Sequence, residues 1–359
     1  MSRACDRCLT RTWLIARLAG HIEQARGRSA AVLGLDDDAL LAAVGGEQRG
    51  AVRAELERFD PAGAHREALD AGIETICRCD GSYPPRLLAL EHPPAVLHVA
   101  GGLDRFLRLV AEEPVAIVGA RRATMYGVDI ARALGRDLGA AGVTVLSGMA
   151  LGIDSAAHRG ALGIAAPTVA VLPGGAERAY PAAKRALHGQ IRATGAAVSE
   201  LPPGAQVRRW TFPARNRIIA ALAAMTVVVE AGERSGALLT AASARSLGRP
   251  VGAVPGRVTS PLAYGPNRLL AEGAYVVRDV QDILDLLYGA GARRPHRPES
   301  DELAPELRVL LAAIADGADV TGALARAGLP PDRGLAALAS LELAGYVQRE
   351  AGGRFSVRA

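Results

Sequence analysis

Lysine is nearly missing from this chain. Lys184 is the only one among 359 residues, and the other cations among its 42 lysines and arginines are arginine. Arginine suits bidentate phosphate contacts better than lysine, but a bias that runs the whole length reads first as composition and marks no local site. An export signal is also missing: the apolar residues 13–16 stop at Arg17, too short for a signal core. Residues 218–229 are too few to span a bilayer, which needs about 20 apolar residues, and read as a helix end followed by a strand. These absences point to a cytoplasmic chain without a membrane partner. A full G-x-G-x-x-G is absent too, so no dinucleotide is indicated.

What is present is a chain long enough for two or three domains, half of it hydrophobic, with a net charge of +5. That mild excess of positive charge is compatible with a polyanionic partner. Residues 1–82 read as a small helical domain of the SAM or helix-hairpin-helix kind. Leu14, Leu18 and Ile22 recur at helical spacing, as do Leu40, Leu41 and Val44, with Gly45-Gly46 and Asp60-Pro61 as punctuation. Such a bundle suits nucleic-acid or protein contact, or serves as a structural appendage.

Residues 83–288 alternate strand and helix. After Pro93-Pro94, residues 96–99 read as an edge strand. Further strands are expected at 115–119, 143–146, 168–172, 197–199, 225–230, 251–254 and 274–277. Helices separate most of them, the clearest with Val128, Ala131, Leu134 and Leu138 on one face. Short β-rich runs joined by helices imply an α/β fold. Right-handed crossovers make it an extended Rossmann-like, doubly wound, mainly parallel sheet. Residues 289–304, with Arg293-Arg294-Pro295-His296-Arg297-Pro298, read as an exposed linker, its short basic cluster either touching phosphate or, preferably, solvated. Residues 305–359 follow the order helix, helix, helix, hairpin of a winged-helix-like module. Its recognition-type helix carries only Arg333 as a cation near its start, which favours a protein-contact or weak DNA role over strong duplex binding.

The four cysteines form two close pairs, Cys5-x-x-Cys8 and Cys77-x-Cys79. Four thiolates can hold a tetrahedral zinc that would staple the N-terminal segment. The tight C-x-C spacing is unusual, and ordinary reduced cysteines without a metal are the expectation. No cofactor is expected.

Five segments carry candidate chemistry, each at or near the end of an expected strand, where doubly wound sheets bind ligands. Val118-Gly119-Ala120-Arg121 offers a close backbone approach and a charge, read either as an anion site or as a simple turn. Ser147-Gly148 can cradle a phosphate. Beyond it, Asp154 suits a helix N-cap, and His158 lies four residues further on. The pair reads either as an acid–base couple or, preferably, as a capped helix with a hydrogen-bonded histidine. Pro173-Gly174-Gly175, followed by Tyr180-Pro181, is another tight turn that can meet an anion. Arg208-Arg209-Trp210-Thr211-Phe212-Pro213-Ala214-Arg215-Asn216-Arg217 interleaves cations with rings, the pattern in which guanidinium groups hold phosphates and exposed rings stack bases. Either ring taken singly reads as core; the cluster reads as binding. Last, Glu230 precedes Ser235, Gly236 and Thr240, which offer hydroxyl and backbone donors at a helix start. Glu230 itself, an acid at a strand end, reads either as a catalytic or orienting carboxylate or, preferably, as an ion-pair partner of a nearby arginine.

Taken in order, VGAR, SGMALGIDSAAH, AVLPGGAERAYP, SELPPG, FPARNRIIAAL, SGALLTA with GRPVGAVPG, and GPNRLLAEGA resemble the DprA/Smf family over residues 115–277. The resemblance implies an extended Rossmann domain that is not an enzyme. It implies binding of single-stranded DNA and loading of the RecA recombinase on it in natural transformation or recombination, and a homodimer. Carried over by motif, Gly119 and Arg121 would meet a backbone phosphate, Ser147 and Gly148 would shape the pocket floor, and Gly174 would belong to the next turn. Arg209 with Phe212 would clamp or stack a base. Arg215 and Arg217 would add charge, with Asn216 supporting the loop, and Ser235, Gly236 and Thr240 would complete the rim. Two departures stand out: Pro173 where a glycine is usual, and Ala120 where a serine is common. The rival reading is a Rossmann-type nucleotide N-glycosidic hydrolase, using the glycine turn with Glu200 or Glu230.

Overall fold

The computed structural model describes residues 3–24, 29–295, 303–350 and 353–357. It divides into two compact units, Met1–Arg294 and Pro295–Ala359. The first opens with six helices, α1 (Asp6–Arg17), α2 (Ala19–Gln24), α3 (Ser29–Gly34), α4 (Asp37–Val44), α5 (Arg49–Glu57) and α6 (Pro61–Asp70). The alternating part follows: β1 (Ile73–Cys77), β2 (Val96–Ala100), α7 (Leu103–Ala111), β3 (Val115–Val118), α8 (Met125–Ala140), β4 (Val145–Ser147), α9 (Ile153–Leu162) and β5 (Thr168–Val171). It continues with α10 (Arg185–Thr194), β6 (Ala196–Ser199), α11 (Thr211–Leu222), β7 (Met225–Val228), α12 (Gly236–Ser246), β8 (Val251–Ala253), α13 (Tyr264–Ala271), β9 (Tyr275–Val276) and α14 (Val280–Tyr288).

The nine strands form one sheet in the order β1-β2-β6-β5-β4-β3-β7-β8-β9. From β6 to β9 all neighbours are parallel, with Val115 opposite Val145 on one side and Met225 on the other. Only β1–β2 and β2–β6 are antiparallel. The sheet is therefore doubly wound and mainly parallel. β3, β5 and β7 are buried at every position, as expected of parallel strands covered by helices on both faces. On one face Phe106, Ile218, Leu222 and Ala241 form the core. On the other, Leu134, Leu138, Ala157 and Ile283 do. α8 and α9 press together through glycine: a Cβ on Gly135 would lie 2.1 Å from the Ala157 carbonyl oxygen.

Two details depart from the sequence reading. The segment expected to be helical to residue 82 ends in a strand, Ile73–Cys77. That strand pairs along β2, from Ile73 opposite Ala100 to Cys77 opposite Val96. Residues 96–99 are consequently an inner strand, not the edge. The cause is the long helical run before β1, which hides a five-residue strand whose burial does not alternate.

The N-terminal helices share a core, Leu14, Leu18, Ile22, Leu40, Leu41 and Val52, that also takes in Leu201, Trp210 and Ala214 from the α/β part. Trp210 is thus an anchor between the two, its indole N–H donating to the Ala19 carbonyl at 3.0 Å.

The second unit contains α15 (Pro305–Ala315), α16 (Val320–Arg326), α17 (Pro331–Leu343) and a hairpin of β10 (Val347–Arg349) and β11 (Phe355–Val357). Leu310, Ile314, Leu324, Leu338, Leu341 and Val347 are its core. Of the basic cluster read as a linker, Arg293 is packed rather than solvated: it donates to the Ala141 carbonyl at 2.7 Å and lies over the Tyr288 ring. His296 and Arg297 lie outside the described residues. No described helix is long and apolar enough to cross a membrane.

Candidate nucleic-acid interface

From β3 the chain proceeds to β4, β5 and β6 on one side, then returns to β7 on the other. The carboxyl end of β3 is therefore a topological switch point, where a crevice is forced open between diverging connections. A cleft of about 310 Å³ lies there, lined by Gly119, Arg121, Phe212, Arg215, Asn216 and the start of α12 among others. The N-termini of α11 and α12 border it, and both bring the positive ends of their dipoles. Ser235 caps α12, its hydroxyl accepting from the Ala237 N–H at 3.4 Å.

One wall is aromatic and cationic. The exposed Arg121 guanidinium sits over the Phe212 ring, 4.7 Å from its centroid. Phe212 in turn meets Tyr180 at 5.7 Å with the rings tilted. Tyr180 is two-fifths exposed and was read only as part of a turn. Its signal was a ring beside a glycine turn at the same sheet edge as Phe212.

The floor is a buried charge system. Arg215 is 5% exposed, donating to the Val171 carbonyl at 2.7 Å and to Asn216 Oδ1 at 3.1 Å. Burial lowers its pKa to about 10, an effect that the nearby Asp154 charge opposes. Burial pushes the Asp154 carboxyl up, while Arg215 and N–H bonds from Gly148 and Ala150 hold it down. Asn216 also donates to the Gly236 carbonyl at 3.2 Å, tying Arg215 to the start of α12.

The sequence-derived residues separate into groups. Gly119, Arg121, Phe212, Arg215, Asn216, Ser235, Gly236 and Thr240 come together around the cleft. Ser147 does not reach it: its buried hydroxyl donates to the Ile117 carbonyl at 2.6 Å, joining β4 to β3. Gly148 makes room for Arg215, since a Cβ there would lie 1.7 Å from the guanidinium. Gly174 packs under the segment before α11, where a Cβ would meet Val207 at 2.8 Å. Arg209 is exposed just ahead of α11, with its backbone N–H held by Glu23. Arg217 faces away from the cleft, in an ion pair with Glu200 at 2.5 Å and a bond to the His92 carbonyl. A helix turns about 100° per residue, so Arg215 and Arg217 cannot share a face.

Asp154 is not the N-cap of α9. Gly152 occupies that position, and the carboxylate bends back onto the β4–α9 loop. His158 bonds to Thr168 Oγ1 at 2.8 Å and not to Asp154. Burial lowers its pKa to about 3, so it is neutral. Glu230 pairs with no described arginine; it accepts from the Thr124 N–H and hydroxyl at 2.9 and 2.6 Å and anchors the start of α8. The two carboxylates considered for hydrolysis are thus both committed, Glu200 to Arg217 and Glu230 to Thr124. Away from the cleft, the structure brings Cys5, Cys8, Cys77 and Cys79 together.

Comparison with known proteins identifies the chain's relatives. The chain is 42% identical over 263 residues to the putative DNA processing protein DprA of Mycobacterium tuberculosis, covering 72% of this chain and 67% of that one. It is 35% identical to protein Smf of Escherichia coli, over 77% of this chain and 75% of that protein. Among solved structures, the DNA processing protein A of Streptococcus pneumoniae superposes with a TM-score of 0.64 at 29% identity, over 79% of this chain and 99% of the other. That of Helicobacter pylori, described for its single-stranded DNA binding mode, gives 0.54 at 28% identity, over 60% and 95%. The family model of DNA recombination-mediator protein A matches residues 64–288, so the chain belongs to that DprA/Smf family.

Proposed function

We propose that the cleft at the end of β3 binds single-stranded DNA. The observation that carries this reading is the Arg121–Phe212–Tyr180 wall between two helix N-termini. A stacking ring beside a cation, over a site that favours anions, meets the two features every single strand offers: base faces and phosphates. A duplex hides its base faces, so the single strand is preferred. Sequence preference is slight because stacking and phosphate contacts are sequence-tolerant. Family membership supports the finer reading. A cytoplasmic homodimer would present the bound strand to the RecA recombinase in transformation or recombination. The C-terminal unit would serve as a winged-helix-like contact module. Arg121, Phe212 and the rim of Ser235, Gly236 and Thr240 touch DNA in this reading, with Arg209 beside them. Arg215, Asn216 and Gly148 position that surface from below.

The test is binding to an oligonucleotide and to its matching duplex across a salt series, beside an Arg121→Ala, Arg209→Ala variant. The reading expects preference for the single strand and a log–log salt slope that flattens by about 0.7 per lost phosphate contact. Equal binding of both forms, indifferent to the two substitutions, would refute it.

A further inference from the structure

We propose that Cys5, Cys8, Cys77 and Cys79 form a structural zinc site that staples the first helix to the edge of the sheet. The proposal is independent of the DNA cleft. The four sulfurs come from segments some seventy residues apart in sequence, yet all lie within 4.8 Å of one another. Cys8 and Cys79 Sγ are 3.7 Å apart. A tetrahedron with zinc–sulfur bonds of about 2.3 Å has edges of about 3.8 Å. A disulfide, at about 2.05 Å, would instead draw the sulfurs together two by two.

The local backbone explains how so tight a spacing works. Cys5 is the N-cap of α1 and Cys8 sits in its first turn, with the Cys8 and Leu9 N–H groups both closing on the Cys5 carbonyl. Cys77 ends β1, and Cys79 lies in the turn closed by the Asp80 N–H to the Cys77 carbonyl at 3.0 Å. One cysteine of each pair is buried and the other exposed. The surroundings suit thiolates. The Cys5 N–H donates to Cys77 Sγ at 3.3 Å, and Arg7 reaches Cys79 Sγ at 3.7 Å. Four thiolates around Zn²⁺ carry a net charge of −2, which such donors offset. Cys77 Sγ also stands 3.6 Å from the Arg3 carbonyl, a contact that a thiol makes and a thiolate gives up. All ligands are protein side chains, with no place for a reacting water, so the site is structural and not catalytic.

The experiment uses the full chain purified under reducing conditions without added metal. Elemental analysis gives the metal content, and thiol titration before and after a chelator gives the state of the sulfurs. The expected result is one zinc per chain and thiols that react only once the metal is removed. A cobalt-exchanged sample should show the visible bands of tetrahedral thiolate cobalt, and Cys79→Ser, at an exposed position, should lose them while its far-UV circular dichroism matches the parent's. Freely reactive thiols with little metal, two disulfides, or stoichiometric iron in place of zinc would each overturn the assignment.

Discussion

Gly148 to alanine tests the reasoning about the floor of the cleft. The new Cβ would lie 1.7 Å from Arg215 Nη1 and 2.3 Å from its Cζ. Arg215 cannot yield as a surface side chain would, because it is buried and bonded to the Val171 carbonyl. Displacing it loses a charged hydrogen bond worth about 1.5–3 kcal/mol, and overpacking adds about 1–3 kcal/mol. A total of about 2.5–6 kcal/mol on this unit, at about 2.1 cal/mol/K of unfolding entropy per residue, lowers the melting temperature by roughly 4–10 °C. Gly236→Ala is the control: a Cβ there meets nothing within 4 Å, and its melt should match or exceed the parent. The sharper arm is the cycle with Arg215→Met. If the clash is with the guanidinium, Gly148→Ala costs much less in the methionine background, since neighbouring substitutions couple. Thermal melts of the four proteins decide it. Strict additivity, or a Gly148→Ala protein that melts with the parent, would refute the packing described here.

Three further outcomes follow from the same geometry. Phe212→Ala should weaken single-strand binding by about 1–3 kcal/mol, or roughly 5- to 150-fold, with little change in melting; an affinity within twofold of the parent in a fluorescence anisotropy titration would remove the ring from the site. Arg217→Ala strands the largely buried Glu200 carboxylate and should cost up to about 3–5 kcal/mol of stability. Its affinity for the oligonucleotide, measured below its melting point, should stay near the parent value, and a large loss would place Arg217 at the cleft. His98 and His158 are fully buried, and burial lowers the pKa of each to about 3. The unfolded chain takes up these protons below about pH 6.5 while the folded one does not. Stability that is complete above that pH is therefore lost on acidification, at up to about 1.4 kcal/mol per pH unit for each histidine. Urea midpoints between pH 7 and pH 5.5 should fall less steeply in His98→Leu, and an unchanged slope would contradict the burial of a neutral ring.

The centre of the fold was legible because parallel strands are written as unbroken apolar runs. Residues 115–118 are wholly apolar, and 168–171 and 225–228 carry one buried threonine each, so no solvent-facing alternation confuses the reading. β1 escaped because nothing in Ile73-Glu74-Thr75-Ile76-Cys77 separates a short edge strand from the end of the helical run before it. Its identity is set by β2, a partner twenty residues on. The cysteines show the same limit. Their spacings gave two pairs, and only the bridge between Arg3 and β1, with the Arg3 N–H donating to the Thr75 carbonyl, sets the first pair beside the second. The rings of the arginine-rich loop divide on local geometry. Trp210 and Phe212 are two residues apart at the start of α11. That separation sends the first under the N-terminal helices and leaves the second half-buried against Arg121. Composition marked the cluster, but it could not say which ring stays outside.

The glycines carry a more general point about the site. A glycine after a parallel strand reads as a place where backbone approaches an anion. Here Gly119, Gly148 and Gly174 are each taken up by protein: a Cβ would strike Ile153, Arg215 and Val207 respectively. The positive potential of the cleft therefore comes from elsewhere, from Arg121 and from the helix ends at Thr211 and Gly236. Arg215 supports it from beneath while Asp154 offsets its charge. This arrangement explains why proline at 173 is tolerated. The donor it lacks belongs to a turn packed against residues 205–207, away from the residues that line the cleft. It also fixes what evolution or design can change. Substituting Arg121 or Phe212 alters what the cleft holds, whereas substituting the three glycines alters whether it forms.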